Sequence, residues 1–326
     1  MTGPHRAVAS TRLAVRQALG QIEEAGLVLV ACSGGADSLA LAAAVAFEAP
    51  RAGLSAGAVI VDHGLQQGSS AVAGRAADQC RSLGLDPVEV ATVQVTSSGS
   101  GPEARARDAR YEAFDTVAHR VGAVVVLLGH TRDDQAEQVL LGLARGSGAR
   151  SLSGMPARRG RYVRPLLCVA RATTVAACEA AGLTAWVDPH NSDPAYARVR
   201  ARALLPLLEA ELGGGTVAAL ARSADLLRED ADALDDLAAD AREGLGRGPI
   251  DAVVLLTLPR AIRTRVWRLL AIEAGCPPGA LVASHVESLD TLLTRWRGQG
   301  PIDLPGHVKG SRMGGRVFVA ATSRVE

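Results

Sequence analysis

Apolar residues along this chain follow two different periods, which predict alternating strands and helices. Mainly apolar runs of strand length stand at 27–32, 56–65, 87–92 and 122–130. Stretches with a helical period lie around them, at 12–24, 38–48, 69–83, 102–120 and 133–144. Strands that are apolar throughout and are separated by helices indicate a parallel sheet covered on both faces. The first part of the chain is therefore predicted to be an α/β fold with a doubly wound, mostly parallel sheet.

The pattern changes beyond Pro206. Three consecutive glycines, Gly213 to Gly215, suggest a linker, and apolar residues then recur at alternating spacings of three and four from Val217 to Leu245. That repeat predicts a helix with one apolar stripe. Further helices and then short strands are expected, the helices at 259–274 and 280–296. We therefore expect an α/β domain and a smaller, mainly helical domain, at 1–212 and 213–326.

The composition bears on the location of the protein but does not indicate its partner. With 326 residues, 35 basic and 34 acidic side chains, the net charge of +1 neither favours nor excludes a polyanionic partner. The five cysteines form no C-x-x-C pair, which favours reduced thiols and a cytoplasmic location. No apolar stretch reaches the length of a membrane span, so no membrane partner is expected.

The most informative motif is SGGADS at 33–38, directly after the first apolar run. A strand, a tight turn and a helix start present backbone N–H groups and the positive end of a helix dipole at one point. Gly34 and Gly35 let an anion approach the main chain closely. The motif has no Walker A lysine, so Ser33 and Ser38 are the candidate donors to phosphate oxygens. A plain strand-to-helix turn is the alternative interpretation.

Polar residues also follow the second and fourth apolar runs. Because ligands bind beyond the carboxyl ends of parallel strands, we expect these residues to converge with the glycine turn. Asp37 cannot favour a bare anion and is interpreted as a ligand, direct or through water, of a magnesium ion. The predicted nucleotide-binding residues are Ser33, Gly34, Gly35, Ala36, Asp37, Ser38, Asp62, His63 and Gly129.

The string GHTRDDQAE at 129–137 begins at a predicted strand end and continues into a helix. Asp134 and Glu137 are three residues apart and so share a helix face, where they could hold a metal ion or an ammonium group. Acidic residues in a first turn are common for dipole reasons alone, which is the competing explanation. His130 stands where it could touch a phosphate or a nucleobase.

Arginine is concentrated in three places. The segment 103–111 carries Arg105, Arg107 and Arg110 on a predicted helix, where Glu103 and Arg107 could equally form a plain surface ion pair. From Arg145 to Arg171 there are seven arginines and no acidic residue, and Arg198, Arg200 and Arg202 follow. So long a run of one sign indicates a surface that meets phosphates.

These motifs resemble those of a known family. SGGADS after a buried strand is similar to the PP-loop of N-type ATP pyrophosphatases, which cleave ATP between the α- and β-phosphates. Together, SGGADS, VDHGL, EARARDARYEAF, GHTRDDQAEQVLLGLARGSG, SGM, RPLL and WVDPHNSDPAYARVRARALLP occur in the order found in tRNA(Ile)-lysidine synthetases. They span residues 27 to about 206. Val199 and Ala201 depart from the family's usual R-N-x-I-R string.

The resemblance implies a ligase that uses ATP, Mg²⁺ and L-lysine to convert the wobble cytidine of an isoleucine tRNA into lysidine. Adenylation of the cytidine C2 oxygen would release pyrophosphate, and attack by the lysine amine would then release AMP. The expected catalytic residues are Asp37 with the metal, Asp134 and Glu137 for the lysine amine, Arg110 for the lysine carboxylate or the activated intermediate, and His130. The arginines at 145–171 and 198–202 would hold the tRNA backbone.

Two other interpretations stay open at this point. A PP-loop tRNA thiolase shares the adenylation step but usually needs paired or catalytic cysteines. A non-catalytic, ATP-binding regulatory protein would need neither the arginine-rich segment nor a helical appendage. The oligomeric state is also open, with a homodimer among the candidates.

Overall fold

The structure is a computed structural model that describes residues 3–62, 64, 68–93, 102–146, 148–188 and 193–322. For residues 102–104 it describes the backbone alone. The predicted nucleotide contact of His63 and the predicted pair between the Glu103 and Arg107 side chains therefore lie outside the described part of the chain.

The first unit is built on a six-stranded sheet in the order β3-β2-β1-β4-β6-β5. All neighbouring strands are parallel except the short hairpin of β5 and β6. The strands are β1 (Leu27–Ala31), β2 (Ser55–Asp62), β3 (Val88–Thr92), β4 (Ala123–Leu128), β5 (Arg158–Arg159) and β6 (Tyr162–Val163). The prediction of a mostly parallel α/β sheet is confirmed.

Helices cover both faces of this sheet, as its apolar strands require. Because successive side chains of a strand point to opposite faces, Val28 and Val30 pack with Leu39 in one core, whereas Leu29 packs with Phe114 in the other. The helices of this unit are α1 (Arg6–Leu19), α2 (Ala36–Glu48), α3 (Ser69–Ser82), α4 (Pro102–Val121), α5 (Arg132–Ala144), α6 (Ala149–Leu152), α7 (Arg171–Ala180), α8 (Ala197–Leu212) and the first part of α9 (Thr216–Gly244).

The strand order places a topological switch point at β1. The chain runs from β1 outward to β2 and β3, and then returns to place β4 on the other side of β1. Connections therefore leave β1 and β4 in opposite directions, which opens a crevice between their carboxyl ends. The SGGADS motif follows β1, and Gly129 and His130 follow β4, so both lie at this crevice.

The predicted helix at 12–24 begins and ends earlier than its apolar spacing suggests. Helix α1 begins at Arg6 because the side chain of His5 accepts a hydrogen bond from the backbone N–H of Ala7 at 3.3 Å. It ends at Leu19, next to Gly20. A short polar cap, rather than the apolar stripe, decides where this helix starts.

The second compact unit, Glu229–Glu326, begins inside helix α9. The glycine triplet at which we placed the domain boundary forms the turn between α8 and α9. This unit combines helices with an antiparallel sheet in the order β7-β10-β9-β8. Its further elements are β7 (Ile250–Asp251), α10 (Ala252–Thr257), α11 (Arg260–Glu273), α12 (Ala283–Thr294), β8 (Ile302–Leu304), β9 (Val308–Met313) and β10 (Arg316–Ala321).

The core of the second unit contains a buried ion pair. Arg263 donates from Nε and Nη2 to the two carboxylate oxygens of Asp290 at 2.7 and 3.1 Å, and the Trp267 indole N–H also points at Asp290, at 3.3 Å. Across the ranges described, no single helix is long and apolar enough to cross a membrane, although the bent pair α8 and α9 passes that test together by length and composition.

Candidate active site

The SGGADS loop holds its own shape through Ser38. The Ser38 hydroxyl accepts the backbone N–H of Ser33 at 3.1 Å and donates to the carbonyl of Gly35 at 2.9 Å. Among the residues that the structure describes, no side chain caps the first turn of α2, so its N–H groups are available to a ligand. Ser33 is exposed and Ser38 is buried. Of the two predicted hydroxyl donors, Ser33 is the one presented to solvent.

Two glycines let the loop and its neighbour come close together. Gly34 has a φ of +80°, in the left-handed region that favours glycine. A Cβ on Gly129 would lie 3.1 Å from the Cα of Ser38 and 3.2 Å from the carbonyl group of Asp37. The end of β4 therefore packs directly against the start of α2. The carbonyl of Gly34 also accepts the N–H of Trp186 at 2.9 Å, which ties the loop to the chain after α7.

Asp62 ends the neighbouring strand β2 and is buried. Its carboxylate accepts the backbone N–H of Gly64 at 3.0 Å. This hydrogen bond ties Asp62 to Gly64, and the contact of Asp62 with a nucleotide stays a prediction.

Asp134 and Glu137 lie together on α5, as their spacing predicts, but both are engaged by arginines. Arg171 donates to Asp134 at 2.6 Å and to Glu137 at 3.0 Å, and Arg198 donates to both at 2.9 Å. Arg202 adds a 2.7 Å hydrogen bond to Glu137. Glu137 is 0% exposed, so its charge is balanced by these guanidinium groups rather than by water.

The remaining oxygen of Asp134 caps its own helix. It accepts the backbone N–H and the hydroxyl of Thr131 at 2.7 and 2.9 Å. Burial by itself would raise the pKa of Asp134, but Arg171, Arg198 and the Thr131 amide lower that pKa to about 2. Burial would also raise the pKa of Glu137, but the hydrogen bonds from Arg202 and Arg198 hold that pKa below its ordinary value. Both side chains are therefore carboxylates at neutral pH.

Asp37 is joined to the same network through the first turn of α7. Its two carboxylate oxygens accept hydrogen bonds from Arg171 Nε at 3.4 Å and from the hydroxyl of Thr174. Burial raises the pKa of Asp37, and the hydrogen bond from Thr174 and the charge of Arg171 oppose that rise. The backbone N–H of Arg171 in turn donates to Asp133 at 2.8 Å. The turn that begins α7 thus links α2 to α5.

His130 lies beside this network as a neutral imidazole. Burial lowers the pKa of His130 to about 3, with Asp134 acting against that change and Arg164, Arg198 and Arg107 adding to it. Its Nδ1 atom is buried and has no hydrogen-bond partner in the part of the chain that the structure describes. A buried polar atom without a partner is costly, which marks this nitrogen as a contact for a ligand.

The structure separates the arginines that the sequence grouped together. Arg164 and Arg171 belong to the run at 145–171, yet Arg164 is buried and Arg171 forms the ion pairs described above. Arg158 and Arg159, in the β5–β6 hairpin, are exposed. Of the second cluster, Arg198 and Arg202 face the acidic pair and Arg200 is exposed. For four of these arginines the prediction of a surface facing tRNA phosphates is replaced by internal contacts.

Sequence reasoning missed the roles of Arg171 and Thr174, and of Arg198 and Arg202. A signal was present for both pairs. Arg171 and Thr174 are three residues apart and Arg198 and Arg202 are four apart, so each pair shares a helix face. Arg110, the remaining predicted catalytic residue, is more than a third exposed, and burial of its guanidinium group together with the charge of Arg107 lowers its pKa.

Two family models and several relatives of nearly the same length match this chain. A family model described as a PP-loop domain matches residues 9–208, and one described as a TilS substrate binding domain matches residues 251–318. A tRNA(Ile)-lysidine synthase from Thermobifida fusca is 57% identical over 98% of this chain and 100% of the relative. One from Streptomyces coelicolor is 54% identical over 97% of this chain and 99% of the relative.

This chain belongs to the tRNA(Ile)-lysidine synthase family. The membership confirms the resemblance of the motifs and the use of ATP that a PP-loop domain implies. It also favours a carbon–nitrogen ligase over the thiolase and the regulatory protein. The U34-tRNA thiolase NcsA from Methanococcus maripaludis is 18% identical with a TM-score of 0.56, over 68% of this chain and 80% of that chain. At that identity the likeness shows the fold alone.

Asp37 suits a magnesium ion that is also bound by the phosphates of ATP. Among the described residues, no group of three or more His, Cys, Asp or Glu side chains could enclose a metal ion. Asp37 lies in the first turn of α2, and each of its oxygens keeps a lone pair beyond the hydrogen bond it accepts. Mg²⁺ commonly takes one or two carboxylates together with substrate phosphates and water. Asp37 is therefore a fitting ligand for an ion carried by ATP.

Proposed function

We propose that this protein joins L-lysine to C2 of the wobble cytidine of an isoleucine tRNA in the cytosol, using ATP with Mg²⁺. The observation that carries this proposal is the bridge that Arg171 makes between Asp37 at the nucleotide loop and the acidic pair on α5. An anion site and an acidic pocket thereby share one crevice. Five free cysteines suit a reducing compartment.

In the first step the cytidine C2 oxygen attacks the α-phosphorus of ATP, and the bond to the β-phosphate oxygen breaks. The N–H groups at the start of α2 and the hydroxyl of Ser33 would bind the departing pyrophosphate. A magnesium ion held by Asp37 would supply positive charge to the same oxygens. The neutral His130 could donate or accept one hydrogen bond at the reacting phosphate or base without adding charge.

In the second step the lysine side-chain amine attacks C2, and the bond between C2 and the adenylate oxygen breaks to release AMP. The acidic pair of Asp134 and Glu137 would bind the ammonium form of the amine and accept a proton from it. Because both carboxylates are engaged by arginines, the ammonium group would take the place of one guanidinium group. The displaced carboxylate oxygen would then accept its hydrogen bond from the ammonium group, which is the contact through which the proton passes.

The tRNA itself would be held by the arginines that remain at the surface. Arg158 and Arg159 on the β5–β6 hairpin and Arg200 on α8 are exposed. Contacts of this kind fix the position of a phosphate backbone and carry little sequence information. The second unit, which matches the substrate binding domain, would supply further contacts.

The direct test is mass analysis of an isoleucine tRNA transcript after incubation with the protein, ATP and lysine. We expect a mass gain of one lysine less one water, together with AMP and pyrophosphate. A transcript with uridine in place of the wobble cytidine is the matched control and should gain nothing. Products without lysine, or a gain of sulfur, would refute the proposal. Light scattering on the same sample reports whether the active species is a homodimer.

A further inference from the structure

Arg164 lies at the crevice and not at the surface that we expected for the arginine-rich segment. Residue Val163 of β6 pairs with Leu127 of β4, so Arg164 follows the carboxyl end of β6 next to the end of β4. Polar groups at these strand ends face the ligand crevice in a parallel sheet. Arg164 is 5% exposed. A charged side chain so well covered needs a partner close by.

The contacts of Arg164 are all with neutral groups. It donates to the carbonyl of Pro156 at 3.0 Å and to the hydroxyl oxygen of Tyr111 at 3.4 Å, and its buried Nε atom has no partner among the residues described. No carboxylate forms an ion pair with it in the described part of the chain. Burial lowers the pKa of Arg164, and the charges of Arg107 and Arg159 act in the same direction. A buried guanidinium group without an anion is strongly disfavoured.

A second arginine converges on the same hydroxyl group. Arg107 precedes Tyr111 by one turn of α4, donates to its oxygen at 3.3 Å and lies 5.0 Å from the centre of its ring. Two positive charges thus meet at one neutral phenol oxygen. Arg107 is exposed, so the pair can be reached from solvent. The three side chains together could hold an anion.

His130 lies close both to this arginine pair and to the acidic pair of Asp134 and Glu137. It is influenced by the negative charge of Asp134 and by the positive charges of Arg107 and Arg164. His130 follows β4, and Arg164 follows β6, which pairs with the end of β4, so acidic and basic side chains both lie close to His130. That arrangement complements a small molecule with an ammonium group at one end and a carboxylate at the other.

We propose that Arg107 and Arg164 bind the α-carboxylate of the amino-acid substrate. The planar guanidinium fork of Arg164 matches a carboxylate, and its deep position favours a small ligand over a polyanionic backbone. Phosphate groups have the start of α2 and the exposed arginines instead. This inference rests on the proposed function, and it gives the carboxylate to these residues rather than to Arg110, whose charge lies within the influence of Asp188.

The test compares L-lysine with cadaverine, its decarboxylated form, which keeps both amines but lacks the carboxylate. Variants Arg164→Met and Arg107→Met are assayed for the KM of lysine, ATP and tRNA and for the inhibition constant of cadaverine. We expect the KM of lysine to rise by about 10- to 100-fold, as for the loss of a charged hydrogen bond, while the other three constants stay unchanged. Arg81→Met, at an exposed ion pair on α3, is the control.

Other outcomes have definite meanings. A rise in the KM of tRNA or ATP with an unchanged KM of lysine would assign the pair to a phosphate group and overturn the inference. An equal loss for lysine and cadaverine would also overturn it, because it would show a general change of the pocket. If Arg164→Met fails to fold, Arg107→Met at the exposed side of the pair gives the answer. A wild-type protein that makes no lysidine would instead refute the proposed function.

Discussion

The guanidinium group of Arg171 donates to the carboxylate of Asp134 at 2.6 Å, and so joins the first turn of α7 to the first turn of α5. The same guanidinium group reaches Glu137 and Asp37. Three carboxylates from two helices would repel one another without it. Arg171 therefore determines whether the acidic pair and the nucleotide loop can occupy one crevice.

Replacing Arg171 with methionine should destabilise the first unit by about 2 kcal/mol, since Arg198 and Arg202 still balance part of the buried negative charge. Urea unfolding followed by circular dichroism measures the change. Arg171→Lys keeps the charge but loses the fork, and should recover only part of the stability. Equal stability of Arg171→Met and the wild type would show that the network contributes nothing.

Asp37→Ala should abolish pyrophosphate release, because the proposed metal ligand at the leaving group is lost. The loss should exceed about 100-fold, the scale seen when one stabilising group is removed from a reacting centre. The unfolding free energy should stay close to that of the wild type because Asp37 is partly exposed. Asp78→Ala, at an exposed ion pair on α3, is the control. Normal adenylation by Asp37→Ala would remove Asp37 from the mechanism.

Thr174→Val should weaken the binding of ATP with magnesium by about 10-fold, because the hydroxyl that orients Asp37 is lost while the volume is kept. Thr174→Ser keeps the hydroxyl and should bind as the wild type does. Titration calorimetry with ATP, with and without Mg²⁺, separates the two effects. A loss of the same size in the absence of magnesium would mean that Thr174 supports the loop and not the metal ligand.

Gly129→Ala should disturb the nucleotide loop although the change is one methyl group. The new Cβ would lie 3.1 to 3.2 Å from backbone atoms of Asp37 and Ser38, and backbone cannot rotate away. Overpacking of this kind costs about 1–3 kcal/mol. We expect lower thermal stability and weaker ATP binding together. Gly122→Ala lies at the other end of β4, where a new Cβ would have no atom within 4 Å but the φ is +69°, so this variant is a control for backbone strain without crowding. Wild-type ATP binding by Gly129→Ala would contradict the close packing of β4 and α2.

Stability should fall as the pH drops below about 6.5, because His130 is buried as a neutral group. Its pKa is lowered to about 3 in the folded protein, so between these values the unfolded chain binds a proton that the folded chain does not. Unfolding is therefore favoured as the pH falls. Between pH 6.5 and 4.5 the contribution should be about 1–2 kcal/mol after allowance for partial exposure.

The measurement is urea unfolding at several pH values for the wild type and His130→Gln. The variant should lose less stability over this window than the wild type does. His119→Gln, at an exposed position on α4, should keep the wild-type slope. Parallel curves for the wild type and His130→Gln would contradict the assignment of the slope to His130.

The sequence by itself determined the parts of the protein that depend on neighbours along the chain. The apolar runs predicted β1 to β4, and the SGGADS string predicted a tight turn that leads into α2. Asp134 and Glu137 could be placed on one helix face because a helix brings residues three apart together. The spacing of apolar residues and the residues of a turn act on neighbours along the chain, so the sequence is enough to reveal them.

The tertiary structure alone decided which charges meet. Arg171 and Arg198 stand 37 and 64 residues from Asp134, and nothing in their spacing to it indicates a contact. The same run of arginines contains Arg164, which is buried, and Arg158, which is exposed. The packing of separate helices and strands against one sheet sets these distances. Local pattern carries no information about that packing.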